Sequence, residues 1–404
     1  MKNCSVIGLG YIGLPTALIL AKAGFIVHGV DIKTEIVEKL NNGNTHFKEP
    51  GLDKLLFEVL KAKSFSANLK LKESDVFIIA VPTPIYRNNE DIPQADITYV
   101  VEAAKLIGEF IKPGNIVIIE STSPVGTSEK VLDIICKISG LSTNQIYLSY
   151  CPERVLPGKI IMELINNNRI IGGINIKSAK KAKKIYKQFC KGEIELTDCR
   201  TAELVKLTEN AYRDVNLAFA NELSLVCNKL GVNVFELVRH TNLHPRVNIL
   251  TPGCGVGGHC IAVDPWFIVN SAPDITPLIQ TAREVNNSKT NWIINFILEK
   301  VYELEKKILR KPILGCFGLT FKADVEDTRE SPALKIYNEL FKKGINLIGC
   351  EPNLKSLSSI RLASPKDVLS KADINIILVG HKEFKKLDFR KKIYYDFCGI
   401  LEDI

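Results

Sequence analysis

The chain has 404 residues, 46% apolar and 24% charged, a balance that excludes a disordered or fibrous protein and allows two or three domains with buried cores. Its net charge of +8 comes from scattered basic residues without interleaved aromatics, so nucleic acid is not the expected partner, and no apolar run reaches the ~18 residues of a membrane span. Eleven cysteines without a Cys-x-x-Cys pair exclude neither fold nor enzyme, but argue for free thiols in a reducing cytoplasm and against a metal site.

The apolar stretch up to Ala21 is broken by Gly8, Gly10, Gly13 and Pro15 and runs on into a folded pattern, so it is not read as a signal peptide. Strand candidates at residues 5–7, 26–30, 76–81, 116–120 and 146–150 alternate with amphipathic segments. This is the pattern of a parallel, doubly wound α/β sheet extending to about residue 190. The first strand runs into Gly8-Leu9-Gly10-Tyr11-Ile12-Gly13, which opens a helix. The first glycine permits the tight turn, the second a close approach of pyrophosphate, and the third close packing of helix on strand. Phosphates would then sit on unpaired N–H groups at a helix N-terminus. Asp31 ends the next strand candidate, where a carboxylate accepts from ribose hydroxyls and repels a 2′-phosphate. NAD is therefore expected rather than NADP, although Lys33 is close by. A Gly-x-Gly-x-x-Gly alone also occurs in purely structural turns.

The basic run from Lys177 to Lys191 reads as one solvated helix face. From Thr201 to about Leu230, Leu204, Leu207, Ala211, Val215, Ala218, Phe219, Leu223 and Val226 recur at threes and fours, giving one long helix with a broad apolar face. Gly231 is its expected terminator. About 45 Å long, it links domains or packs against a second subunit. Lys206 and Asn210 are four apart and share a face, with Arg213 on the same edge; spacing alone favours a solvated polar stripe. Beyond them lies Gly257-Gly258-His259-Cys260-Ile261-Ala262-Val263-Asp264. Most cysteines are buried small hydrophobes. Cys260 differs, because glycines before it let a substrate reach the sulfur and Asp264 offers a carboxylate four residues on. It is the candidate nucleophile, with His259 the alternative nucleophile or base. A second helical region spans Thr276 to about Leu309. After Pro312 a smaller α/β pattern follows, with strands at 313–317, 346–350 and 375–379 and a helix at 332–343. It has room for three to five strands, and the two α/β stretches are candidates for pseudo-equivalence. The expected division is an NAD-binding domain at 1–195, a central helical domain with the cysteine loop at 196–310, and a terminal α/β domain at 311–404.

Several ordered motifs accompany these segments. They are Val81-Pro82-Thr83-Pro84, Glu120-Ser121-Thr122-Ser123-Pro124-Val125-Gly126-Thr127, Cys151-Pro152-Glu153-Arg154, Lys206-Leu207-Thr208-Glu209-Asn210, Phe321-Lys322-Ala323-Asp324 and Asp327-Thr328-Arg329-Glu330-Ser331. With the Gly8–Gly13 turn and the cysteine loop, they resemble the UDP-glucose/GDP-mannose dehydrogenase family over essentially the whole chain. The segments 244–250 and 252–267 are most similar to the branch acting on UDP-N-acetyl-D-mannosamine. Cys254 stands where relatives usually carry proline, and the terminal domain is short.

The resemblance implies an N-terminal Rossmann-like domain, a central dimerisation domain built on the long helix, and a smaller Rossmann-like domain that binds the UDP-sugar. It implies NAD-dependent four-electron oxidation of the sugar's C6 alcohol to a carboxylate. Cys260 would hold a thiohemiacetal and then a thioester, which splits one difficult oxidation into easier steps. Lys206 and Asn210 would stabilise the C6 oxyanion, Asp264 would hold a water or assist the thiol, and Glu153 would orient the hydrolytic water. Gly8, Gly10, Tyr11, Ile12, Gly13, Asp31, Thr83, Thr122 and Arg329 would contact NAD. Arg154, Val155, Arg213, His244, Arg246, Gly257, Phe321 and Lys322 would join Lys206 and Asn210 around the sugar nucleotide, with Arg246 reaching a neighbour's site in a homodimer. The same core serves relatives acting on UDP-N-acetylglucosamine, UDP-N-acetylgalactosamine and UDP-glucose. A two-electron dehydrogenase needs no cysteine, and a nucleotide-sensing module needs none of Cys260, Lys206 and Asp264. All three are present, which argues against both.

Overall fold

The computed structural model describes residues 2–86, 92–357 and 360–401. The chain forms two compact units, Met1–Thr208 with Trp266–Ala272 and Glu209–Pro265 with Pro273–Ile404.

The first unit contains β1 (Asn3–Ile7), β2 (Ile26–Val30), β3 (Phe65–Asn68), β4 (Val76–Ile79), a small hairpin of β5 (Ile85–Tyr86) and β6 (Gln94–Ala95), β7 (Ile116–Ile119), β8 (Tyr147–Tyr150), β9 (Arg169–Gly173) and β10 (Ile194–Asp198). All but the hairpin join one sheet in the order β10-β9-β8-β7-β4-β1-β2-β3. Strands β4 and β7, Val-Phe-Ile-Ile and Ile-Val-Ile-Ile, are buried on both faces, as strands covered by helices on each side must be. Alternate residues enter two different cores: Val76, Ile78, Ile116 and Ile118 pack in one, and Phe77, Ile79, Val117 and Ile119 in the other. The chain leaves β1 for β2 and β3 on one side and returns to β4 on the other. The carboxyl ends of β1 and β4 therefore flank a topological switch point, where such sheets bind ligands.

This sheet is wider than the sequence pattern suggested, and it is not wholly parallel, because β9 runs antiparallel to β8. β9 opens on Arg169, a charge that hides the strand in an apolar pattern; the side chain is nevertheless 4% exposed.

In the second unit β11 (Ile313–Phe317), β12 (Asn346–Cys350), β13 (Ile374–Ile377) and β14 (Ile393–Asp396) form a parallel sheet in the order β12-β11-β13-β14. Its opening repeats that of the first unit. Gly8 N–H donates to Val30 O (2.8 Å) and Leu9 N–H to Asp31 Oδ2 (3.0 Å). Correspondingly, Gly318 N–H donates to Cys350 O (2.9 Å) and Leu319 N–H to Glu351 Oε2 (2.8 Å).

The long helix is Cys199–Leu230, ended by Gly231 at φ +69°. Its buried face differs from the one expected. Leu207, Ala211 and Ala218 are buried, but Leu204, Phe219 and Val226 are 43%, 56% and 46% exposed. Asp214 and Asn221 are buried instead, held by the helix Pro277–Ile308. Arg283 Nη1 donates to Asp214 Oδ1 (2.6 Å), Asn286 Nδ2 to the same oxygen (2.8 Å), and Asn221 Nδ2 to Asn286 Oδ1 (2.8 Å). A buried polar network takes the place of an apolar seam. Among the described residues no helix is long and apolar enough to cross a membrane.

Candidate active site

In the first unit, three loops gather at the carboxyl ends of neighbouring strands: Gly8–Gly13 after β1, Val81–Thr83 after β4 and Glu120–Thr122 after β7. Ser121 Oγ ties two of them by donating to Val81 O (2.8 Å). Gly8 has φ +91°, and a Cβ there would lie 2.5 Å from Ala80 O; one on Gly13 would lie 1.9 Å from Gly8 O. Nothing lies within 4 Å of a Cβ built on Gly10, which is open backbone of the kind a pyrophosphate approaches. The helix Gly13–Lys22 begins there without a side-chain cap, and the positive end of its dipole favours an anion at this turn. Asp31 is half-buried and accepts from the backbone N–H of Leu9 and of Lys33. Tyr11 stacks on Phe47, with centroids 4.3 Å apart. Thr83 is buried and Thr122 half-buried. These residues fit NAD: a turn that tolerates no side chain at Gly8 or Gly13, a helix start for phosphate, and a carboxylate at the ribose position.

In the second unit the cysteine loop is built against the segment 320–332. A Cβ on Gly257 would lie 2.3 Å from Glu330 O, and one on Gly258 2.8 Å from the Phe321 ring. Gly258 N–H donates to Arg329 O (3.1 Å). The structure thus brings Gly257, Phe321 and Arg329 beside the chain that carries Cys260. Val263 and Asp264 N–H both donate to Cys260 O, which turns the backbone into the helix Asp264–Ser271. Of the eleven cysteines, Cys260 alone is exposed. Burial pushes the thiols of Cys151, Cys199, Cys254 and Cys350 up to about 12, out of the range in which a thiolate forms. Asp264 is buried and accepts from Asn210 Nδ2 (2.5 Å), so spacing understated Asn210. Lys206 is half-buried one helical turn before it. Lys322, Arg213, His244 and Arg246 are exposed. Arg329 forms a fork with Asp327 (2.6 Å).

Glu153 follows β8 in the first unit. It is buried, faces Arg169 Nη2 (3.1 Å) through Oε2, and accepts from Arg154 N–H (2.7 Å) through Oε1. Arg154 Nη2 donates to Asn168 O (2.6 Å), and Val155 packs on the core. Arg169, Glu120, Tyr186 and Thr16, which complete this cluster, carried no role in the sequence reading. The available signal was Glu120 itself, a carboxylate directly after four buried apolar residues. Among the described residues, no group of three His, Cys, Asp or Glu side chains could hold a metal ion.

Three consecutive stretches match one family description. The UDP-glucose/GDP-mannose dehydrogenase family's NAD binding domain matches residues 2–190, its central domain 200–288 and its UDP binding domain 315–403. The chain is 47% identical to a UDP-N-acetyl-D-mannosamine dehydrogenase of Campylobacter jejuni, over 98% of this chain and 99% of that one. It is 45% identical to an NDP-N-acetyl-D-galactosaminuronic acid dehydrogenase of Ralstonia nicotianae, over 96% of this chain and 92% of that one. Among solved structures, a UDP-D-ManNAc dehydrogenase from Pyrococcus horikoshii superposes with a TM-score of 0.90 at 39% identity, covering 100% of this chain and 96% of that one.

Proposed function

The chain belongs to the UDP-glucose/GDP-mannose dehydrogenase family of NAD-dependent enzymes, and from that premise we propose that it oxidises the C6 alcohol of UDP-N-acetyl-D-mannosamine to the carboxylate through Cys260. The observation that carries the covalent reading is the exposure of one thiol, in a glycine-rich loop, against ten that are buried or half-buried.

Bound NAD supplies the hydride acceptor for each oxidation. As the first hydride leaves C6, Lys206 takes the hydroxyl proton and an aldehyde results. Cys260 Sγ adds to the aldehyde carbon, and the new C–S bond keeps the intermediate from diffusing away. Loss of a second hydride turns the adduct into a thioester. Water, oriented by Glu153, then attacks the carbonyl; the C–S bond breaks and the thiol is restored. One alcohol, one water and two NAD give the carboxylate, two NADH and three protons. Asn210, with one amide N–H fixed on Asp264, offers the other to the oxyanion at C6. Arg154, Val155, Arg213, His244, Arg246, Gly257, Phe321 and Lys322 contact the sugar nucleotide, the guanidinium groups reading its diphosphate.

The N-acetylmannosamine assignment draws on the Campylobacter and Pyrococcus relatives; the Ralstonia relative, nearly as similar, makes a 2-acetamido galacto sugar the second reading. Counting NADH per sugar nucleotide consumed, on UDP-N-acetylmannosamine, UDP-N-acetylgalactosamine, UDP-N-acetylglucosamine and UDP-glucose, tests both points. Two NADH with UDP-N-acetylmannosamine alone supports the whole proposal. The same ratio on another sugar overturns the specificity, and one NADH per sugar overturns the role of Cys260.

A homodimer on the long helix belongs to the same proposal. Tyr212, Phe219 and Val226, at seven-residue spacing, are 71%, 56% and 46% exposed, an apolar stripe suited to a second copy.

A further inference from the structure

We propose that Glu120, Tyr186 and Arg169 are positioning residues for thioester hydrolysis, a buried relay that couples Glu120 through the Tyr186 ring and the Arg169 guanidinium to Glu153. The proposal rests on the reading of Glu153 as the group that orients the hydrolytic water.

The contacts run without a break through the first unit. Thr16, on the helix that begins at the dinucleotide turn, donates through Oγ1 to Glu120 Oε2 (3.1 Å). Tyr186 OH donates to Glu120 Oε1 (2.6 Å). The Arg169 guanidinium lies over the Tyr186 ring at 4.8 Å and reaches Glu153 Oε2 at 3.1 Å. Glu153 Oε1 in turn holds the backbone N–H of Arg154. Every side chain in the chain of contacts from Thr16 to Glu153 is less than a tenth exposed. Glu120 directly precedes Ser121 and Thr122 of the cofactor loops, so the relay joins the floor of the dinucleotide site to the Cys-Pro-Glu-Arg loop.

Charge counting gives the relay its function. Two buried carboxylates facing one cation leave one negative charge unbalanced, and such a pair binds a proton. Glu153 is in direct contact with Arg169, at 3.1 Å. Glu120 takes the proton: burial, then the nearby Glu153, raise it from 4.5 to about 7. The other titratable groups facing Glu120 are neutral: Cys4 on β1 and Cys151 after β8 are thiols raised by burial, and Tyr186 is likewise raised. Arg169 and Glu153 are thus the charged groups that sense its ionisation. When Glu120 loses its proton, its new charge attracts the same guanidinium across the Tyr186 ring. A guanidinium held less tightly by Glu153 leaves that carboxylate's oxygens to the attacking water, as a group drawing a proton from it requires.

The test uses the intact enzyme with NAD and UDP-N-acetylmannosamine, or whichever panel sugar is turned over. Turnover is followed against pH, with the covalent Cys260 adduct measured by acid quench and intact mass. In the parent enzyme the ionised fraction of a group titrating at about 7 rises about tenfold between pH 6 and 8, and hydrolysis should rise with it. Glu120→Gln, which has the hydrogen-bonding groups of the protonated acid, should abolish that rise, leave KM for NAD and sugar unchanged, and accumulate adduct at pH 8. Arg169→Lys should retain part of the hydrolysis rate that Arg169→Met loses. A parent-like pH profile in Glu120→Gln, or equal loss in both Arg169 variants, overturns the proposal. Glu153→Gln separates the two levels. If it traps adduct while Glu120→Gln does not, only the relay fails; if it traps none, the role of Glu153 fails and the relay with it.

Discussion

Replacing Glu120 by glutamine has a second consequence, in stability, whose size follows from the raised carboxyl. The side chain is 3% exposed, so solvent does not screen it, and the ionised form is disfavoured enough to hold the proton up to about 7 instead of 4.5. Between those values the folded protein binds a proton that the unfolded chain has released. A raised carboxyl therefore contributes stability that is complete below about pH 4.5 and is lost as pH rises to about 7. The loss amounts to about 3 kcal/mol, at 1.36 kcal/mol per pH unit. Glutamine does not titrate. The variant's stability relative to the parent should therefore grow by about 3 kcal/mol between pH 4.5 and 7 and stay level above, a gap of roughly 6–12 °C in Tm at neutral pH for a unit of about 200 residues. Urea unfolding followed by circular dichroism at half-unit pH steps measures it, with the parent as reference for all other titrating groups. A gap that does not change with pH, or one that closes as pH rises, would refute the assignment of the proton to Glu120.

Cys260→Ser should melt within about 0.5 kcal/mol of the parent, as expected for an exposed position, while carboxylate formation falls by ~10³-fold or more; retained turnover in the NADH assay removes the covalent step. Gly13→Ala forces a Cβ to within 1.9 Å of Gly8 O, and calorimetric titration should show NAD affinity lost together with about 1–3 kcal/mol of stability. Asp214→Ala leaves the Arg283 guanidinium buried without its carboxylate, and thermal unfolding should record a loss of about 3–5 kcal/mol.

The sequence pattern exposed those parts of the fold whose physics is local. The alternation of apolar strands with helices, the long helix with its glycine stop, and the turn at Gly8–Gly13 are set by neighbours in the chain. What stayed hidden depends on partners far away. Arg169 reads as a surface charge until Glu153, Tyr186 and the Leu164 carbonyl surround it. The buried face of the long helix could not be read from apolar spacing, because Asp214 and Asn221 enter it only through Arg283 and Asn286, about 65 to 70 residues on. Strand β14 was missed for the opposite reason: an edge strand, half-exposed, needs no continuous apolar run. At the candidate site, composition around Cys260 was informative, whereas the partnership of Asn210 with Asp264 spans 54 residues and left no periodic trace.

The repeated openings of the two sheets end on carboxylates in very different circumstances. Asp31 is half-buried and holds two backbone N–H groups. Water can occupy its remaining lone pairs and yield them to a ribose hydroxyl at little cost, which suits a site that empties and refills in every cycle. Glu351 accepts from Leu319 and Thr320 N–H, from Asn353 N–H and from His381 Nε2, and is 4% exposed. His381 is free to donate there because its Nδ1 accepts from Asp324 N–H. That carboxylate has little capacity left for an incoming guest. The same station thus serves as a revolving door in one half of the molecule and as a welded joint in the other, and damage to the first would register in cofactor exchange, damage to the second in melting.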